Sequence, residues 1–121
     1  MNFIIRKSRL SQEEFLHCLI ERFPSLKAEL ADEDYKGLIH LQVSVLARYT
    51  NKCLSSGQLD ELQKVFDFFH QTIEKVDSAT ENALYVSFLE HIEMEGTSKN
   101  VEQARRFLQP QYLTIWRKLR G

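Results

Sequence analysis

The chain has 121 residues, of which 43% are hydrophobic, 27% charged and 11% aromatic, which supplies the core of one compact domain but not of two. With 4 Gly and 2 Pro the sequence is neither collagen-like nor a low-complexity linker, and its 8 Phe and 4 Tyr argue against intrinsic disorder. The formal net charge of -1 excludes a global field that would draw the protein onto nucleic acid or anionic lipid.

The first ten residues are predicted to form an N-terminal extension, followed by a single domain at residues 11–121. The extension runs from apolar to basic, the reverse of a signal peptide, and no apolar run approaches the ~20 residues of a membrane helix. We therefore expect a cytoplasmic protein without a membrane segment. Cys18 and Cys53 lie in helical patterns and are expected to be buried thiols of a reducing compartment.

The first helix is predicted to begin at a capping box formed by Ser11 and Glu14 and to end before Pro24. A short helical turn is expected around residues 26–30. The acidic residues 32–34 then precede a long helix over residues 35–55, because carboxylates are favoured at the positive end of a helix dipole. This helix is apolar nearly all round, which predicts a central position.

Gly57 is predicted to end the central helix in a left-handed conformation, and an amphipathic helix follows with its apolar stripe ending near Val76. A second capping box at residues 78–81 predicts one helix that ends at Gly96. Asn100 is expected to cap a short helix, and Pro110 to open the last one. Since no long stretch alternates strictly between apolar and polar residues, we predict an all-α bundle of five to six helices. Short connections favour antiparallel neighbours, and successive helix pairs loosely resemble an α-solenoid.

Charge is divided unevenly along the chain. Residues 31–99 contain six bases and twelve acids, whereas residues 100–121 contain five bases and one acid. The basic residues of the C-terminal helices are expected to line a solvated face, since a nucleic-acid site would require more cations and exposed aromatic residues. The acidic body is the better candidate for recognition of a basic partner. The carboxylates predicted to steer that partner are Asp32, Glu33, Asp34, Glu90, Glu93 and Glu95.

The four histidines do not predict a metal site or an active site. Glu14 and His17 have the spacing of a di-iron motif, which Asp67 and His70 repeat loosely, but the remaining carboxylates of such a site are missing from the pattern. Cys18 follows His17 directly, and successive side chains on a helix diverge by ~100°. The isolated glycines exclude a Gly-rich phosphate loop. We expect no enzyme activity, no cofactor and no metal.

Polar residues inside the central helix have two interpretations. His40 is expected to be a core or half-buried histidine with a hydrogen-bond partner. Arg48 could pair with Glu90 in a buried network that fixes helix register, or these groups could line a groove that awaits a ligand or a partner. We favour the structural network.

Several segments resemble the core of a small bacterial family of uncharacterised all-helical proteins. They are residues 32–35, 37–38, 40–42, 47–49 and 81–91. The resemblance covers residues 11–120 and leaves out the N-terminal extension. Small bacterial proteins of this kind are similar to immunity proteins of polymorphic or contact-dependent toxin systems. The resemblance implies a non-enzymatic protein that binds a cognate toxin domain and blocks it.

The leading hypothesis is therefore a cytoplasmic immunity protein that presents its acidic face to a basic toxin domain. The alternative is a small regulatory or nucleic-acid-associated module that uses the basic C-terminal helices. A third hypothesis is a domain that binds a small molecule between its helices, which a thermal-shift screen would reveal.

Overall fold

The computed structural model describes residues 9–121 and is all-helical, as predicted. Within this range there are seven α-helices rather than five to six, because the turn at Lys27–Leu30 forms an α-helix of its own. The helices are α1 Gln12–Arg22, α2 Lys27–Leu30, α3 Ile39–Ser56, α4 Leu59–Thr72, α5 Ser78–Ala83, α6 Lys99–Phe107 and α7 Pro110–Arg120. Turns of 3-10 helix lie at Pro24–Leu26, Glu33–Tyr35 and Leu89–His91, and a π-helical turn lies at Leu84–Phe88.

Helix α1 begins and ends where its sequence predicts. The Ser11 hydroxyl accepts the backbone N–H of Glu14, and the Glu14 carboxylate accepts the N–H of Ser11 at 3.0 Å. These backbone and side-chain hydrogen bonds lower the pKa of Glu14. The helix ends at Arg22, two residues before Pro24. The capping-box prediction is confirmed.

Helix α3 begins four residues later than predicted. The Asp32 side chain accepts the N–H of Asp34 at 2.9 Å and caps the 3-10 turn Glu33–Tyr35 instead of a long helix. Gly37 then adopts a left-handed conformation with φ of 72°, which interrupts the helical path before Ile39. Gly57, with φ of 70°, ends α3 as predicted.

The predicted helix from Ser78 to Gly96 is wrong at both ends. Asp77 is the N-cap, because its backbone is extended there and its carboxylate accepts the N–H of Thr80 at 2.8 Å. After α5 the chain forms the π-helical turn and then the 3-10 turn. The helical stretch therefore ends at His91 and not at Gly96. Asn100 is likewise not a cap. Ser98 caps α6, while the Asn100 amide donates to the Leu54 carbonyl.

The core is aromatic and is built around α3. Phe15 of α1 lies 5.6 Å from Phe68 of α4 between ring centroids, and Phe23 lies 5.8 Å from the same ring. On the other side of the core, Phe69 packs against Phe88 at 5.5 Å. Helix α3 contacts α4, α5, α6 and the π-helical turn, and it buries nine residues while leaving one face to solvent. Its central position is therefore confirmed, although it is not buried on every side.

The beginning of the described chain is attached to the domain. The N–H of Leu10 donates to the Lys75 carbonyl at 2.7 Å, and the Arg9 guanidinium donates to the Val76 carbonyl at 3.0 Å. The other eight residues of the predicted extension lie outside the described residues. No helix between residues 9 and 121 has the length and apolar content that a membrane crossing requires.

Candidate functional site

A groove of about 310 Å³ lies between the exposed face of α3 and the segment that contains the π-helical turn. Ser87 of that turn is hydrogen-bonded to His40 of α3, with 2.7 Å between Oγ and Nδ1. Single π-helical turns are rare and are often found at functional sites. We call this cleft the α3 groove. Its polar lining consists of Ser44, Arg48, Asn51, Ser87, His91 and Glu93.

One wall of the groove continues into residues 90–96, which we call the pinned loop because helix side chains hold its backbone. The Asn51 amide of α3 donates to the His91 carbonyl at 2.8 Å and accepts the N–H of Glu93 at 2.9 Å. Between these two peptides, the buried Trp116 indole of α7 donates to the Ile92 carbonyl at 2.9 Å. Three consecutive residues of the loop are thus fixed by two helices.

Two arginines of the C-terminal helices hold the rest of the pinned loop. Arg105 of α6 donates to the carbonyls of Met94 and Gly96 at 2.5 and 2.9 Å. Arg120 of α7 donates to the Glu90 carbonyl at 2.8 Å. The basic residues of the C-terminal helices were expected on a solvated face, and Arg105 is half-buried instead. The other four are exposed: Arg106, Arg117, Lys118 and Arg120.

Side chains of the pinned loop alternate between the core and solvent. Ile92 and Met94 are fully buried, whereas His91, Glu93 and Glu95 are exposed. This alternation is typical of extended chain and is visible in the sequence at residues 91–95. It is the signal from which the loop could have been found.

The pinned loop gives its three predicted steering carboxylates different environments. Arg120 binds Glu95 at two points, from Nε to Oε2 at 2.5 Å and from Nη2 to Oε1 at 2.9 Å, and these hydrogen bonds lower the pKa of Glu95. Glu90 is half-buried. Glu93 is exposed and forms no ion pair with any residue in the range 9–121. Of these three carboxylates, Glu93 is therefore the one that is exposed and outside the ion pairs of the described residues.

The other three predicted carboxylates, Asp32, Glu33 and Asp34, are exposed in the turn before α3 and are not part of the groove lining. The structure thus divides the predicted acidic site into two groups, this turn and the pinned loop.

Arg48 stands on α3 and lines the groove, but its partner is not the predicted Glu90. Its Nη2 contacts Oε2 of Glu29 at 2.5 Å, and its Nη1 donates to the Ser44 hydroxyl at 3.3 Å. Burial by itself lowers the pKa of Arg48, but the hydrogen bonds and charges of Glu29 and Tyr35 outweigh it and raise that pKa. The prediction of an Arg48–Glu90 pair is wrong, because Glu29 of α2 folds back onto α3.

His40 is exposed, so its predicted core or half-buried position is wrong, but the predicted hydrogen-bond partner is present and is Ser87. Because α3 begins at Ile39, His40 lies in its first turn, where it faces Ser87 at the end of the groove.

Two leucines at the N-terminal end of α3 are exposed. Leu38 is 49% exposed and Leu41 is 44% exposed. Leu41, Ser44 and Arg48 are spaced by three and four residues, so they follow one face of α3 into the groove. This places apolar surface at the N-terminal end of the α3 face and a carboxylate, Glu93, beside its C-terminal half.

The other reactive side chains serve structural roles. Glu14 caps α1, and His70 accepts the N–H of Gln109 at 3.1 Å before α7. Cys53 is buried as predicted, whereas Cys18, which was also predicted to be buried, is half-buried; both are free thiols. In the part of the chain that the structure describes, no three His, Cys, Asp or Glu residues are grouped so that they could hold a metal ion.

Comparison with known proteins identifies a family but no individual relative. A family model described as Domain of unknown function (DUF7674) matches residues 16–121, which include the whole groove and the pinned loop. No curated protein and no solved structure matches the chain.

Proposed function

The chain belongs to the DUF7674 family, whose domain has no known function, and we propose that it is a non-enzymatic module that binds a basic protein partner at the α3 groove. The observation that carries this proposal is the pinned loop, in which side chains of three helices fix a backbone whose own polar side chains face solvent. A loop ordered in advance loses little conformational entropy when a partner binds it. Rigid surface loops of this kind are typical of recognition sites.

Charge supports a basic partner. Residues 31–99 carry twelve acids against six bases, and they supply α3, the groove and the pinned loop. Arg48 adds little positive field at the groove, because Glu29 neutralises it at 2.5 Å. An acidic surface accelerates the encounter with a cationic partner and excludes anionic ones. A basic toxin domain is the partner that the resemblance to immunity proteins implies.

The arrangement of the C-terminal helices disfavours the nucleic-acid alternative. Of the five bases in residues 100–121, Arg105 and Arg120 donate to the pinned loop, and Arg120 also pairs with Glu95. The aromatic residues Tyr112 and Trp116 are buried and are not available to stack on bases. A surface that binds single-stranded nucleic acid requires both free cations and exposed aromatic rings.

Direct binding of purified components tests the proposal. Proteins captured by the tagged full chain from its native cells are identified, purified singly and titrated against the chain by calorimetry. We expect one of them to bind, and Glu93→Lys to weaken its affinity at least about tenfold, which is about 1.4 kcal/mol. If this protein arrests growth when it is expressed alone, co-expression of the chain is expected to restore growth.

Glu21→Lys is the matched control, because it makes the same charge change at an exposed position on α1, outside the groove. It is expected to leave the affinity unchanged. The proposal is wrong if no purified candidate binds with a Kd below about 10 µM. It is also wrong if Glu21→Lys and Glu93→Lys weaken binding equally, or if the chain binds RNA or DNA in a salt-dependent manner.

A further inference from the structure

We propose that the α3 groove receives a linear segment of the partner, with an apolar side chain at one end and a Lys or Arg at the other. This inference rests on the proposed function and specifies the chemistry of the bound segment. The apolar end covers Leu38 and Leu41, and the basic end meets Glu93. Between these two ends, the polar side chains of the groove lining are Ser44, Arg48, Asn51, Ser87 and His91.

The length of the segment follows from the geometry of α3. Leu41 and Asn51 are ten residues apart on this helix, which corresponds to about 15 Å. Asn51 holds the N–H of Glu93 at 2.9 Å, so Glu93 lies beside that end of the span. A helical segment covers this distance in about ten residues, and an extended segment covers it in about five.

The apolar end is assigned from exposure. Within the described chain, Leu38 and Leu41 are the large apolar side chains left exposed, at 49% and 44%. Both precede Ser44 at the same end of α3, so one apolar side chain of a partner could cover them together. Segments that dock into grooves beside helices commonly use such apolar anchors.

The basic end is assigned from charge complementarity. Glu93 is exposed on the groove wall and forms no ion pair with residues 9–121. The arginine of the groove lining, Arg48, is already paired with Glu29, so an incoming Lys or Arg meets a carboxylate outside any ion pair of the described residues. An acidic segment would find no comparable partner here.

Selection from a displayed library of random peptides of about twelve residues, with the full chain as target, tests the inference. We expect the selected peptides to share an apolar residue and a Lys or Arg, separated by about ten residues if the peptides bind as helices or by about five if they bind in extended form. Synthetic copies are expected to bind at least about tenfold more weakly to Leu41→Ser and to Glu93→Lys, and equally well to wild type and Glu21→Lys. Replacing the basic residue of the peptide by Glu is expected to restore binding to Glu93→Lys.

Three results would overturn the inference: no peptide is enriched, the enriched peptides are acidic, or their binding is indifferent to Leu41→Ser and Glu93→Lys. Circular dichroism of each variant establishes that it is folded. Failure here is distinct from failure of the proposed function, because a folded partner that binds in the calorimetric experiment would show recognition by a surface other than a linear segment.

Discussion

The Oδ1 atom of Asn51 accepts the backbone N–H of Glu93 at 2.9 Å, so a side chain in the C-terminal half of the central helix holds the backbone of a residue whose carboxylate is exposed. The same amide donates to the His91 carbonyl at 2.8 Å. One residue of α3 therefore connects the core helix with the proposed binding surface. Damage to this contact is expected to affect both stability and recognition.

We predict that Asn51→Asp destabilises the domain by about 1–2 kcal/mol, because a carboxylate accepts the Glu93 N–H but repels the His91 carbonyl. Urea unfolding followed by circular dichroism measures this change. Gln63→Glu is the matched control, since its amide bonds only to Asp67 one turn away on the exposed face of α4. Equal destabilisation by the two variants would show that Asn51 has no special role in holding the loop.

Trp116 anchors the pinned loop from the other side. We predict that Trp116→Phe costs about 2–4 kcal/mol, because it removes ring volume from the core and leaves the buried Ile92 carbonyl without its 2.9 Å donor. Tyr112→Phe is the control, since this side chain is also buried and its hydroxyl makes no hydrogen bond with residues 9–121. Comparable unfolding free energies for the two variants would contradict the anchoring role.

The Thr80 hydroxyl is buried and has no hydrogen-bond partner among the described residues. We predict that Thr80→Val leaves the unfolding free energy unchanged or raises it by up to about 1 kcal/mol, because the isosteric side chain removes an unsatisfied polar group. Thr72→Val provides the contrast, since the Thr72 hydroxyl donates to the Phe68 carbonyl at 2.8 Å. It is expected to cost about 0.5–1.5 kcal/mol. A larger loss at Thr80 than at Thr72 would refute the prediction.

His70 makes stability depend on pH. Its Nε2 accepts the N–H of Gln109 at 3.1 Å, which requires the neutral imidazole. Burial lowers the pKa of His70 below 6.5, although the charge of Asp67 opposes this shift. Because the folded state disfavours protonation, the stability that His70 contributes is present above pH 6.5 and is lost as the pH falls through the lowered pKa.

The His70 prediction is tested with His70→Phe, which keeps an aromatic ring beside Tyr112 but does not titrate. Urea unfolding from pH 7.5 to pH 5 is expected to show that the stability advantage of the wild type over the variant shrinks towards acid. An NMR titration should give His70 a pKa below 6.5. An advantage that stays constant, or that grows in acid, would contradict the prediction.

Local signals in the sequence predicted much of the fold. The capping box of Ser11 and Glu14, the left-handed Gly57 and the opening Pro110 each depend on residues within one helical turn. Such signals are reliable when no neighbour competes for the same position. Where a competitor stood one or two residues away, the prediction chose the wrong cap. The cap of α5 is Asp77 and not the predicted Ser78, and the cap of α6 is Ser98 and not the predicted Asn100.

The candidate site was harder to predict, because it depends on contacts between residues far apart in the chain. Arg48 lies 19 residues from Glu29, and Trp116 lies 24 residues from Ile92. Neither spacing leaves a pattern in a single sequence. The extended segment at residues 91–95 did leave one, a short alternation of apolar and polar residues, but helical periodicity on both sides concealed it.

Leu41 and Leu46 lie on the same helix, and we expect Leu41 to contribute mainly to binding and Leu46 mainly to folding. Because it is 44% exposed, Leu41→Ser is expected to change the unfolding free energy by less than about 1 kcal/mol. Leu46→Ala in the same helix is expected to cost about 2–5 kcal/mol, since Leu46 is fully buried. Affinity for the partner should show the opposite order among folded variants, with Leu41→Ser more damaging than Leu46→Ala. If Leu41→Ser unfolds the domain, the exposed leucines belong to the core, and the groove loses its apolar end.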